Sequence, residues 1–180
     1  MLATQPAQLR SWRAHLALEF ERRALRTVLA GRRHDGPLVV QKTYYPEGDE
    51  VCHAIVVHPP GGLAGGDDLR LDAGLDVNAQ AILTTPGAGK WYRSVGPKAR
   101  QSIQFTAGAG ACLEWLPQEN IIFTGAHAEL RTVVQLSGDA SYIGWDITCL
   151  GRGGSGETFA AGSYRARTLI ERSNRPVWFE

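Results

Sequence analysis

The chain has 180 residues, of which 43% are hydrophobic and 21% charged, with a formal net charge of +1. That is enough for one domain with its own core in an ordinary globular composition, and no apolar run approaches the length that crosses a membrane. The near-neutral total hides an asymmetry: residues 1–42 hold eight Arg/Lys against Glu19, Glu21 and Asp35, whereas residues 47–76 hold seven carboxylates against Arg70 alone. The basic part reads as a solvated strand face, because Arg22, Arg23, Arg32 and Arg33 bracket an apolar stretch. Nucleic acid is not an expected partner.

Met1–Arg10 lacks the charged-then-apolar layout of a signal peptide, and residues 1–11 are expected to form a disordered tail. From Trp12 to Phe20 the even positions are apolar and the odd positions mostly polar, the period of a strand with one wet face. Glu21–Ala30, followed by Gly31, fits a helix, while Arg26-Thr-Val-Leu29 fits a strand about as well. Alternation resumes in Leu69–Val77, Ile103–Ala107 and Leu130–Leu136. Each of these runs turns, at Asn78-Ala79, Gly108-Ala-Gly110 and Ser137-Gly-Asp139, into a second apolar run that ends at a Pro/Gly corner. The period is roughly thirty residues, as in stacked repeat architectures. Each unit reads as a hairpin-like pair that cannot bury its apolar face alone, so the units should stack.

Between the first strands and the repeats lies Val51-Cys-His-Ala-Ile-Val-Val-His-Pro-Pro-Gly-Gly-Leu-Ala-Gly-Gly-Asp67. Its apolar run reads as a buried strand. Pro59 and Pro60 fix φ, and Gly61, Gly62, Gly65 and Gly66 allow an approach that a Cβ would block. Leu63 is the only large side chain in the loop, so it should anchor it. Such a loop is built to be approached by another backbone, a partner or a ligand.

Several patterns that suggest chemistry fail on inspection. Gly87-Ala-Gly89-Lys90 resembles a phosphate loop, but a Walker A motif needs Gly at 84 and Ser or Thr at 91, where this chain has Thr84 and Trp91. Cys52, His53 and His58 cannot close one metal shell on a strand. His53 points away from the other two, and those lie roughly 20 Å apart at strand rise. Cys52, Cys112 and Cys149 form no CxxC pair or disulfide framework and read as buried thiols in a reducing cytoplasm. No nucleophile–base signature supports covalent catalysis. Glu47, Asp67, Glu119, Asp146 and Glu157 sit at corners beside Gly or Pro. Each has a turn-capping reading, set against that of weak oxygen sites in series along a cation path. Lys90-Trp-Tyr-Arg93 places four large residues in a row that cannot all face inward, which suggests an interface.

Tyr45-Pro-Glu-Gly48, the Gly/Pro loop, Leu83-Thr-Thr-Pro-Gly-Ala-Gly-Lys-Trp-Tyr-Arg-Ser94, Leu113-Glu-Trp-Leu-Pro-Gln-Glu-Asn-Ile-Ile-Phe123, Ile143-Gly-Trp-Asp146 and Ser155-Gly-Glu157 closely resemble the UreD (UreH) family of urease accessory proteins. The likeness runs in register from about Trp12 to the last residue. It implies a strand rather than a helix at Arg26–Leu29, and an all-β, layered, solenoid-like stack of antiparallel strand pairs with little helix. It implies a non-enzymatic maturation factor that helps load nickel into apo-urease. The implied partners are a UreF-like helical protein, a UreG-like GTPase reached through it, and apo-urease. Family members continue well past residue 180, so residues 12–180 are expected to be one β domain, incomplete at its C-terminus. Trp178 and Phe179 would then need a neighbouring layer, and the chain alone should associate.

On this reading no cofactor is held tightly, and nickel is in transit. Its weak contacts are expected among His58, Asp67, Glu47, Glu119 and Asp146. A partner interface is expected among Gly61, Gly62, Leu63, Gly65, Gly66, Lys90, Trp91, Tyr92 and Arg93. The rival is a small-molecule-binding protein or enzyme that uses loop 59–67.

Overall fold

The computed structural model describes residues 11–180, so the expected tail at 1–11 lies, but for Ser11, outside the described residues. Among the described residues the apolar/polar alternation becomes fifteen strands and a single 3-10 turn at Gly153–Ser155. They are β1 (Arg13–Arg23), β2 (Arg26–Asp35), β3 (Val39–Tyr44), β4 (Val51–Val57), β5 (Asp68–Leu75), β6 (Gln80–Thr84), β7 (Gly89–Trp91) and β8 (Ala99–Ala107). There follow β9 (Cys112–Leu116), β10 (Asn120–Ile122), β11 (His127–Leu136), β12 (Ser141–Gly144), β13 (Thr148–Leu150), β14 (Ser163–Arg172) and β15 (Arg175–Phe179). The segment that fits helix or strand is therefore strand, in β1 and β2.

The strands form three sheets, ordered β15-β14-β11-β8-β5-β1-β2, β12-β9-β6-β4-β3 and β13-β10-β7. Successive strands of a repeat thus lie in different sheets, and each pairs in parallel with its counterpart in the next repeat. The expected all-β, solenoid-like stack is what the chain forms. The antiparallel pair within each unit is corrected to one coil of a three-sided parallel stack. The reason lies in the turns. Ala79, Ala111 and Ala140 are buried just after Asp76–Asn78, Gly108–Gly110 and Ser137–Asp139. Each turn is an arch that faces two apolar strands toward one another across the core, whereas a hairpin would join their backbones. Antiparallel pairs occur at the two ends, as β1–β2, β3–β4 and β14–β15.

Inward side chains stack in ladders from coil to coil. Leu18, Ala73, Phe105, Val134 and Ile170 form one. Ala54, Leu83 and Trp115 form another on the second sheet. On the third, Leu63 bridges to Trp91, and Trp91, Ile122 and the exposed Leu150 continue in register. The Gly/Pro loop is therefore the third side of the first coil. At the other end Val177, Trp178 and Phe179 are exposed. No helix among the described residues is long and apolar enough to cross a membrane.

Candidate functional site

What approaches the Gly/Pro loop is the chain's own backbone. Leu63 N–H donates to the Lys90 carbonyl at 2.7 Å, and Tyr92 N–H donates to the Leu63 carbonyl at 2.8 Å. Gly62 lies flat against Lys90 and the Tyr92 ring, and Gly65 against Ser94 and Pro97. Asp67 is 2% exposed, and its carboxylate accepts the Trp12 and Ala64 N–H groups at 2.7 and 2.8 Å. That is turn-capping chemistry. In the next coil Trp91 is wholly buried while Lys90 and Tyr92 on either side are exposed, as strand alternation requires, and Arg93, past the end of β7, is exposed as well. Leu63 and Gly62 are buried as well, so the exposed residues here are Gly61 and Lys90, which also border the cavity bounded by the coils, and Tyr92 and Arg93.

The coils border a cavity of about 1000 Å³ that is partly open to solvent. Its walls run from His58 and Gly61–Leu63 in the first coil to Tyr164 on β14 and Trp178 on β15. Apolar side chains such as Leu71, Ile103 and Leu130 alternate there with Gln101, Asn120, Thr132 and Asp146. His58 and Asp146 are thus brought to one space. They are separated by three coils, about 14 Å along the stack at the usual strand spacing. Glu47, Asp67 and Glu119 are not in its walls; Glu47 instead receives His53 Nε2 at 2.8 Å. Among the described residues no group of three His, Cys, Asp or Glu side chains converges as a metal shell.

His58 follows β4 on the face of buried Cys52, Ala54 and Val56. Its Nε2 is buried and has no hydrogen-bond partner among the described residues. Burial lowers its pKa from the ordinary 6.5, partly opposed by the negative charge of Asp67. The folded state thus favours neutral imidazole, able to accept a cation. Linkage gives the sign: the unfolded chain takes up this proton more readily. The stability contributed by neutral His58 is intact above about 6.5 and is lost as pH falls from there toward the lowered folded value. Between pH 7 and 5, His58→Gln should therefore show a shallower fall in Tm than the parent chain, as read by thermal circular dichroism. Parallel pH profiles would refute it.

Asp146 lies at the β12–β13 corner. Asn120 Nδ2 donates to its Oδ1 at 3.0 Å, and Trp91 Nε1 donates to Asn120 Oδ1 at 2.9 Å. Thr148 Oγ1 and Tyr164 Oη, 3.0 Å apart, complete the cluster. Burial and the Asp146 charge push the Tyr142 hydroxyl up to about 12 and also raise that of Tyr164. Both phenols thus stay protonated beside a carboxylate that has no ion-pair partner among the described residues. Glu157 has a different role: the Thr124 N–H and the Arg152 guanidinium hold its carboxyl below the ordinary value, as a loop clasp. Sequence reasoning missed Asn120, Thr148 and Tyr164. Their only signal was polarity at inward positions of strands, legible once the three sheets are known.

A family profile described as "UreD urease accessory protein" matches residues 13–180. The chain is 54% identical to "Urease accessory protein UreD" of Azoarcus sp. (strain BH72) over 178 residues, 99% of this chain and 61% of that protein. It is 54% identical to the protein of the same description from Dechloromonas aromatica (strain RCB), over 98% of this chain and 62% of that one. The like-named Pseudomonas aeruginosa protein is 52% identical over 94% of this chain and 60% of its own length. The chain thus spans about three-fifths of the length of these curated relatives.

Proposed function

The chain belongs to the UreD family of urease accessory proteins, and on that premise we propose that it serves in urease maturation as a non-catalytic factor of the cytoplasm. Its interior conducts nickel toward apo-urease, and its outside engages the other accessory proteins, a UreF-like helical protein and through it a UreG-like GTPase. The observation that carries this reading is the cavity shared by coils from the first to the last, with His58 near one end and the Asp146 cluster near the other. An ion in passage needs separated, incomplete sites, because a full shell would trap it. A neutral imidazole and an unpaired carboxylate are both donors that nickel accepts. Glu47, Asp67 and Glu119 take no part in this path: Asp67 is committed to backbone N–H groups, and the other two lie outside the walls. Tyr92 and Arg93 remain as outward-facing contacts for a partner, with Gly61 and Lys90 exposed beside them at the edge of the cavity.

The test is nickel-dependent activation of apo-urease by the reconstituted accessory proteins. Asp146→Asn, and Thr132→Phe as a plug in the cavity wall, should each cut the activation rate by about tenfold or more while co-purification of partners stays unchanged. Full activation by both variants would leave the chain a scaffold with no part in ion passage. A small-molecule or enzymatic role for loop 59–67 has no comparable support, since that loop is packed against residues 90–97.

A further inference from the structure

The outer face of the seven-stranded sheet carries a cluster of exposed arginines. On β11 and β14, Arg131 stands opposite Arg167 and Glu129 opposite Arg165. β8 extends both rows, with Ser102 beside Arg131 and Arg100 beside Glu129. Thr132 and Val134 are buried, so Arg131, which alternates with them, points outward, and its register partner Arg167 lies on the same face while also bordering the cavity. Arg100, Arg131, Arg165 and Arg167 are all exposed. At the usual strand spacing and rise, four guanidiniums therefore share a patch about 10 Å by 7 Å.

Two carboxylates border them: Glu129 lies 3.7 Å from Arg100, and the exposed Asp68 stands beside Arg100 on β5. Among the described residues none pairs with Arg131, Arg165 or Arg167. Like charges directly opposite on neighbouring strands destabilise a sheet. The Arg131–Arg167 pair is thus a local cost to this chain by itself. The next row holds Val133 opposite Leu169, both half-buried, which makes a short aliphatic strip beside the arginines.

We propose that this patch docks a carboxylate-rich segment of a partner protein, independently of any ion passage through the interior. Guanidinium forks grip carboxylates in bidentate fashion. The Val133–Leu169 strip takes an apolar residue set between the acidic ones. Nucleic acid fits less well. A phosphate backbone running beyond the patch meets Asp72 in the Val133–Leu169 row on one side, and Glu171 beside Gln135 in the row after it. A short acidic segment avoids both.

The test uses this chain and a labelled, Glu-rich short peptide with a central leucine, read by fluorescence anisotropy. A single-stranded oligonucleotide of similar length serves as the competing probe. The peptide should bind, more weakly as salt rises, and Arg131→Glu or Arg167→Glu should each weaken it by about tenfold. Arg33→Glu, the same charge change on β2 at the far side of the sheet, should alter it by less than about twofold. The Tm of Arg131→Glu should equal or exceed that of the parent, which separates lost docking from lost folding. Tighter binding of the oligonucleotide would make the patch a nucleic-acid surface and overturn the proposal. Absence of peptide binding, or equal weakening by Arg33→Glu, would make it ordinary solvated sheet and overturn it too.

Discussion

Trp91→Ala is expected to destabilise the chain by about 3–5 kcal/mol, the usual cost of truncating a buried aromatic. Trp91 is fully buried, stacked between Leu63 and Ile122 on the narrowest sheet, and its Nε1–H is bonded to Asn120. The alanine variant leaves a cavity and an unpartnered amide oxygen, and loosens the wall that carries Asn120 and Asp146. Chemical denaturation measures it. Tyr92→Ala, on the exposed side and with an edge-on contact to Phe123 at 5.1 Å, should cost far less. A Trp91→Ala loss below about 1 kcal/mol would mean that the ladder of the third sheet is wrong.

Gly65→Val is expected to cost about 3 kcal/mol or more, by overpacking. Its Cβ would lie 2.7 Å from the Pro97 carbonyl oxygen and closer still to Ser94 Oγ, which itself donates to that carbonyl. Ser94 is 9% exposed and has no room to retreat. Gly61→Val meets open space but sits at φ +78°, so strain alone should cost about 1–2 kcal/mol. Leu63→Met keeps its volume and should cost less than about 1.5 kcal/mol. The predicted order is therefore Gly65→Val, then Gly61→Val, then Leu63→Met, read from denaturation midpoints. Equal tolerance of all three would show that the loop is a spacer and not a side of the first coil.

The sequence made the strands and the repeat legible because period two survives any mode of pairing. Leu69, Leu71, Ala73 and Leu75 point to one side whether their neighbour runs parallel or antiparallel. For the same reason the pairing was not legible: one wet face and one dry face is the ordinary mark of antiparallel sheets. Here parallel strands keep a wet face because the coil folds back on itself, with no covering helices among the described residues. The capping reading of Asp67 was sound at the level of the residue. That Lys90–Arg93 cannot all face inward was legible, since alternation turns Trp91 inward and leaves Lys90 and Tyr92 out. The cavity was not legible, because it is made of residues about thirty positions apart whose proximity depends on coil register.

That register also governs the order of assembly. Asp68 pairs with Arg100, Ala99 with Ala128 and His127 with Ser163. Closing a loop of roughly thirty residues costs about 3 kcal/mol of chain entropy before any ladder bond offsets it. Only the turns that join β1 to β2, β3 to β4 and β14 to β15 close short loops, and of these the first is made earliest on the ribosome. Each later coil then has a template already in place: β5 on β1, β8 on β5, β11 on β8. Such a chain grows like a zipper with a preferred end, and its folding should be slow, vectorial and well matched to synthesis from the N-terminus.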